Sequence, residues 1–290
     1  MNLLTVFQQN PMFFYITSGV LALLIGSFLN VVIYRLPKMM ESEWKKECKI
    51  LLGMGDDNSP VPEFNLLLPS SSCPSCNNKI HPLDNIPIIS FLLLAGKCRH
   101  CNTNIAKRYP LIELTSCLLI IAVALNFGVS IKSLFAFLFT WSLITLTAID
   151  YDHKLLPDSI TIPFLWLGII CNMFGIFTDI YSSLYGAIFG YLSLWSVYIV
   201  FKLLTGKEGM GHGDFKLLAM LGAWLGWQYL PLIIIISSIV GSIVGIGLMV
   251  LKNHKNSHPI PFGPFLAAAG WIALMYGNFL TGLYINWALK

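Results

Sequence analysis

Charge is scarce in this chain. Asp, Glu, Lys and Arg together make up 11% of its 290 residues, less than half of the roughly 25% of an ordinary soluble domain. With 56% of residues hydrophobic, that shortage excludes a soluble globular protein. It also excludes intrinsic disorder and a small disulfide-stapled module, both of which carry far less apolar material. Other absences narrow the chemistry. There is no His-Glu-x-x-His for a membrane zinc protease and no Gly-x-Gly-x-x-Gly for a dinucleotide. Gly53-Met54-Gly55-Asp56 is too weak a pattern to mark a nucleotide site. No Ser or Cys stands beside a His at a spacing that makes a nucleophile. The N-terminus lacks the basic stretch and small-residue cleavage site of an export signal.

What the sequence does have is long apolar runs. A spanning helix takes about 20 apolar residues, and eight runs are candidates: 12–34, 111–129, 133–149, 160–178, 184–204, 215–229, 231–251 and 262–287. The expectation is an all-α polytopic membrane protein of about eight transmembrane helices, its sixth run short and edged by Lys216. If the N-terminus lies outside, only Lys132 and Lys290 of the 18 Lys and Arg remain outside with it. The positive-inside rule favours that orientation over its inverse. Topology thus accounts for the net charge of +4, and nothing is left to support nucleic-acid binding. One loop stands apart, a long polar stretch at 37–109. It divides the chain into a first transmembrane helix (1–36), a small cytoplasmic domain (37–109) and a seven-helix transmembrane domain (110–290). No internal repeat is evident.

Within that loop, Cys73-Pro-Ser-Cys76 and Cys98-Arg-His-Cys101 are separated by 21 residues, close to the spacing of a four-thiolate zinc site. Each C-x-x-C turn offers two sulfurs on one side of a tight knuckle, and two knuckles close a tetrahedron with no position for water. Such a site is structural, and metal binding supplies folding energy to a loop with little core of its own. The competing readings are two disulfides or a redox pair, which the reducing cytoplasm disfavours. His81 and His100 stand nearby as substitute ligands. Cys117 and Cys171 fall within apolar runs as packed thiols, and Cys48 has no evident partner.

Acidic residues at a bilayer boundary cost free energy, about 2.5–3.5 kcal/mol for Asp at a helix centre and less toward its ends. The third run ends in Asp150-Tyr-Asp152-His-Lys-Leu-Leu-Pro157-Asp158, and the sixth follows Gly209-Met-Gly211-His-Gly213-Asp214. Two spans separate Asp150 from Asp214, so both face the cytoplasmic side. Two neighbouring carboxylates share a proton, and one then serves as base on a water while the other serves as acid on a carbonyl. That is aspartic-protease chemistry. The glycines around Asp214 clear room for a substrate backbone or a facing helix. The alternative is that these acids are solvated helix-end caps balanced by Lys154, Lys207 and Lys216. Asp152 and Asp158 compete as candidates, Asp158 also as a cap for the helix after Pro157.

Taken together, the chain resembles the type IV prepilin peptidases. The likeness runs over nearly its whole length. It rests on Gly26-Ser-Phe-Leu-Asn-Val-Val-Ile-Tyr-Arg-Leu-Pro37, the two C-x-x-C pairs, Arg108-Tyr-Pro-Leu-Ile-Glu113, the Asp150–Asp158 segment, Gly211-His-Gly-Asp214 and Pro261-Phe-Gly-Pro264. The resemblance implies that Asp150 and Asp214 are the catalytic dyad of a bacterial inner-membrane enzyme whose active site faces the cytoplasm. It implies substrates as well: prepilins of type IV pili and pseudopilins of type II secretion, cut between a short basic leader and an apolar helix. It further implies N-methylation of the new N-terminal residue, usually Phe, with S-adenosylmethionine as methyl donor. The intact cysteine pairs match the bifunctional type, and Gly96 matches a family glycine tied to methylation; as a bare residue it is equally a turn before a knuckle. Glu113 either pairs with Arg108 or lines the cleft, and Asn30 and Arg35 are candidates for linking the first helix to the cytoplasmic domain.

Two other classes compete. An ion-coupled transporter also lines a path with acids and broken helices, but it places acids near the midplane and shows repeat symmetry. A non-catalytic secretion assembly factor would tolerate loss of Asp150 and Asp214 but not of the cysteines.

Overall fold

In lipid a backbone must satisfy its own hydrogen bonds, so apolar runs without strand alternation become helices. The computed structural model describes residues 3–53, 64–252 and 260–288. Gly55 and Asp56 of the loop pattern, and Lys290, lie outside them. The helices are α1 (Leu3–Gln9), α2 (Pro11–Leu51), α3 (Ile89–Leu93), α4 (Arg108–Phe127), α5 (Ile131–His153), α6 (Asp158–Met173), α7 (Ile180–Thr205), α8 (His212–Leu225), α9 (Leu230–Lys252) and α10 (Gly263–Ala288). Among the described residues there is no extended strand, only single bridges between Ser72 and Lys79 and between Lys97 and Asn104.

Each of the eight apolar runs is helical over most of its length, but among the described residues six helices are long and apolar enough to cross a bilayer: α2, α4, α5, α7, and the segments Trp227–Leu248 and Gly263–Leu283. The fourth and sixth runs fall short. With 16 and 14 residues, α6 and α8 reach about 24 and 21 Å at 1.5 Å per residue, against a hydrocarbon core of about 30 Å. Among the described residues six helices thus clear that length while α6 and α8 are shorter, and the count of about eight spans stays an expectation. The two short helices begin at Asp158 and just before Asp214, where Pro157 and the glycine run interrupt the apolar pattern.

The chain divides into two compact units, Met1–Val129 and Ser130–Lys290. In the first, α2 lies along α4. Contact is close because Gly26 has no side chain: a Cβ there would stand 2.9 Å from Glu113 Cα. Ser116 Oγ donates to Ala22 O at 2.7 Å across the same seam. Beyond the apolar run α2 continues through Pro37 to Leu51.

In the second unit α8 is the centre. Its residues from Leu217 to Leu225 are all buried, with α6, α7 and α10 packed around it. Gly186 of α7 and Gly222 of α8 meet backbone to backbone, and a Cβ on either would collide with the other's carbonyl. Both belong to Gly-x-x-x-Gly spacings, Gly186 to Gly190 and Gly222 to Gly226, which suit close helix approach in lipid. At the end of α8 the fully buried Trp224 donates to Phe164 O at 2.7 Å and lies against Phe139, Phe164 and Phe177. Asn172 Nδ2 donates to Ala223 O and Trp224 O, satisfying carbonyls that the helix end leaves open.

Candidate active site and metal centre

Asp150 lies in the last turn of α5, and Asp214 in the first turn of α8. Both are buried. The α5 helix stops just after Asp150 because Lys154 takes a left-handed conformation and its N–H returns to Asp150 O at 2.9 Å. The chain then crosses the site through Leu156. A Cβ on Gly213 would stand 2.8 Å from Leu156 Cβ, and one on Gly263 would stand 3.3 Å from Leu156 Cδ1. Leu156 thus packs against both glycines, and three segments converge: 150–156, 211–214 and 262–264. The two aspartates thus approach the same Leu156 side chain, Asp150 through its Gly263 partner and Asp214 through its neighbour Gly213.

A residue that carries no chemistry of its own fixes the geometry. Gly263 opens α10, where its N–H has no helical acceptor, and it donates to Asp150 Oδ2 at 2.9 Å. A Cβ at this position would fall 2.5 Å from that same oxygen. The sequence offered Pro261-Phe-Gly-Pro264 only as a matching motif; its role as backbone donor emerges from the fold.

The glycine-rich approach to Asp214 is held by α7. Buried Tyr198 has its hydroxyl 3.2 Å from Glu208 Oε1 and accepts from Lys202 Nζ at 3.2 Å, while Lys202 also pairs with Glu208 at 2.8 Å. The Tyr198 ring meets His212 and Phe215, with centroids 5.2 and 5.6 Å apart. Nothing in the sequence pattern singled out Tyr198 or Glu208. Asp158 is drawn elsewhere, both its carboxylate oxygens 2.7 Å from Lys216 Nζ. It is the first residue of α6 rather than its cap, which is Pro157. Asp152 is exposed.

In the first unit the four cysteines come together: one sulfur from each of Cys73, Cys76, Cys98 and Cys101, all within 4.8 Å of one another. No disulfide links the described cysteines. Four sulfurs held about 2.3 Å from one zinc stand roughly 3.8 Å apart, and Cys73 and Cys101 Sγ lie 3.7 Å apart. The cluster fits a tetrahedral metal ion.

The two knuckles are built alike, as their shared Cys-x-x-Cys-Asn-x-x-Ile pattern at 73–80 and 98–105 requires. In the first, Cys73 N donates to Asn78 O and Asn77 N to Cys73 O. In the second, Cys98 N donates to Thr103 O and Asn102 N to Cys98 O. Asn77 and Asn102 follow the second cysteine of each pair at φ of 55° and 56°, a left-handed conformation that Asn tolerates better than most residues. Cys101 Sγ lies 3.2 Å from the Thr103 hydroxyl, which draws the thiol down to about 6. Arg99 clasps Asp84 through two hydrogen bonds of 2.6 and 3.0 Å and holds its carboxyl below the usual range. His81 caps the turn containing Asp84.

Gly96 sits between α3 and the second knuckle at φ +70°, with the Phe91 ring 3.0 Å from where a Cβ would be. Its carbonyl accepts from Ile105 N at 2.7 Å, a turn role that any methyl-transfer role would have to share. Glu113 Oε2 accepts the N–H of Ile88 at 2.8 Å. Asn30 Nδ2 donates to Tyr109 O at 3.2 Å, tying α2 to the start of α4. Arg35 donates to Asn65 O and Pro69 O and lies over Phe64, so it links the first helix to the loop that leads into the knuckles.

Comparison with known proteins assigns the family. Residues 20–127 match the bacterial peptidase A24 N-terminal domain, and residues 137–246 match the type IV leader peptidase family. A prepilin leader peptidase/N-methyltransferase of Pseudomonas aeruginosa is 52% identical over 99% of both chains. Proteins of the same description from Aeromonas hydrophila and Legionella pneumophila are 51% and 42% identical over 95% and 96% of each chain, respectively. No solved structure matches. With two family models end to end and full-length relatives at this identity, the chain belongs to the type IV leader peptidase family.

Proposed function

We propose that this multi-pass membrane protein is an aspartic endopeptidase. It removes the basic leader of prepilins and pseudopilins, then methylates the new N-terminus. The observation that carries this reading is the convergence of two buried carboxyls, Asp150 and Asp214, on one site walled by Gly213, Gly263 and Leu156. Two such groups hold one proton between them. Asp150, already anchored through Oδ2 by the Gly263 N–H, is the base and takes a proton from water through its other oxygen. Asp214 keeps the shared proton and donates it to the scissile carbonyl. Water oxygen bonds to the carbonyl carbon to give a gem-diol; on collapse the C–N bond breaks, one hydroxyl returns its proton to Asp214 as the carbonyl reforms, and the amine leaves with the proton held on Asp150, which restores the dyad. The glycines leave room for an extended peptide beside the dyad.

The knuckles of 37–109 are assigned one structural zinc, held by Cys73, Cys76, Cys98 and Cys101, and the dyad belongs to 110–290. Zinc is favoured because four thiolates in a closed tetrahedron suit it. For the second activity, S-adenosylmethionine supplies an electrophilic methyl group to the freed amine. Gly96 is the residue that the family resemblance assigns to it. The setting assigned here is the bacterial inner membrane, as the family resemblance implies, and the positive-inside pattern supports a dyad that faces the cytoplasm.

The test is mass spectrometry of a prepilin incubated with the purified protein in lipid. The expected product lacks its leader and gains one methyl group when S-adenosylmethionine is present. An intact prepilin would overturn the peptidase reading, and a cleaved but unmethylated product would overturn the transferase.

A further inference from the structure

The polar loop conceals an apolar run, Ile86-Pro-Ile-Ile-Ser-Phe-Leu-Leu-Leu94. Its side chains do not form a core: Leu92 is 70% exposed and Leu93 81%, and Ile89 is exposed beside them. A soluble domain does not leave such a cluster in water without a partner. The position of the run identifies that partner. Ile88 N–H is bound by Glu113, the sixth residue of α4, about 7.5 Å beyond the start of that helix. Glu113 in turn packs on Gly26, well inside the apolar run of α2. The backbone at Ile88 therefore lies at the level of Glu113 in α4 and Gly26 in α2, a level at which α4 also exposes Leu111 and Leu114.

Irregular backbone survives at that depth only if its polar groups are satisfied within the protein. Here they are. Pro87 has no N–H to satisfy, and its carbonyl accepts from Ile89 N at 2.5 Å. Ile88 itself sits at φ 59°, a strained γ-turn for a β-branched residue, kept by the carboxylate that takes its N–H. Ser90, Leu92 and Leu94 donate to Ile86, Ile88 and Ser90. The first cation after the run is the exposed Lys97, placed to meet anionic headgroups.

We infer that residues 86–94 are seated in the bilayer as a shallow re-entrant segment, pinned by Glu113, which holds the cysteine knuckles against the membrane surface. The occupant of the exposed Leu92–Leu93 face is lipid, continuous with the lipid-facing side of α4. The inference rests on α2 and α4 spanning the membrane and is independent of the dyad.

Photo-crosslinking tests it. A benzoylphenylalanine is placed at Leu92, at Leu118 on the exposed face of α4, or at Leu51 at the far end of α2, in the full chain. Each protein is reconstituted in vesicles of phosphatidylethanolamine and radiolabelled phosphatidylglycerol. The expected result is lipid adduct at Leu92 close to the Leu118 level and about fivefold or more above Leu51. In the Glu113→Ala background the Leu92 adduct falls toward the Leu51 level while Leu118 is unchanged. Lipid labelling at Leu92 no higher than at Leu51, or crosslinking to protein instead, overturns the seating. Unchanged labelling in Glu113→Ala overturns the pin. Loss of labelling at Leu118 as well would overturn the spanning reading beneath both.

Discussion

Gly263 shows how a single hydrogen atom in place of a methyl group sets up a reactive pair. Its N–H holds Asp150 Oδ2, and the space that a Cβ would occupy is taken by that oxygen. Gly263→Ala should push the carboxyl off its donor. A misplacement of about 1 Å costs roughly a hundredfold in a positioned reaction, so prepilin cleavage should fall at least tenfold while the protein still accumulates to its normal level, measured by initial rate and immunoblot. Unchanged cleavage would mean that the Gly263 contact does not position the dyad. Acids at the ends of apolar runs drew notice in the sequence because they are costly there, and the family resemblance singled out Asp150 and Asp214, the two that the fold buries, over Asp152 and Asp158. The role of the glycine was not legible: a backbone donor leaves no mark in a side-chain pattern until the fold brings residue 263 to residue 150.

Among the elements, the short α8 depends on close approach to α7. Gly222→Ala would drive a methyl group into the Gly186 carbonyl, and backbone cannot yield as a flexible side chain does. Overpacking of this kind costs about 1–3 kcal/mol, so the melting temperature in detergent should drop by several degrees. Gly247→Ala, which meets nothing within 4 Å, should stay within about 0.5 kcal/mol of the parent. Equal effects from the two substitutions would deny the Gly186–Gly222 seam. The paired knuckles make a separate prediction. Metal analysis of reduced protein prepared without chelator should find about one zinc per chain, and the Cys73→Ser, Cys98→Ser variant should find none; a metal-free parent would remove the zinc assignment. The cysteine spacing announced this centre, and the Asn that follows each pair, Asn77 and Asn102, carries the repeat into the backbone turn as well. Length was the weaker guide. The fourth and sixth runs read as spans on hydropathy, yet their helices end at Met173 and Leu225, before the apolar runs do, where Gly175 and Gly226 take positive φ, and leave 16 and 14 residues.

For the whole molecule, one unit gathers the cysteines and the other gathers the aspartates, so the metal centre and the peptidase chemistry can be damaged separately. Sparse charge made the membrane class legible, and the distribution of Lys and Arg made the orientation an expectation. The packing that buries α8 was not legible, since its apolar face is all-round and carries no stripe to say which helices flank it. The transporter and assembly-factor readings part from the peptidase at one point, the need for the two carboxyls. The direct measurement is cleavage of a prepilin by vesicles holding the parent, Asp150→Asn or Asp214→Asn at matched protein levels. Either substitution removes the shared proton arrangement and should abolish detectable cleavage, a loss of at least about a thousandfold; normal cutting by both variants would contradict the account.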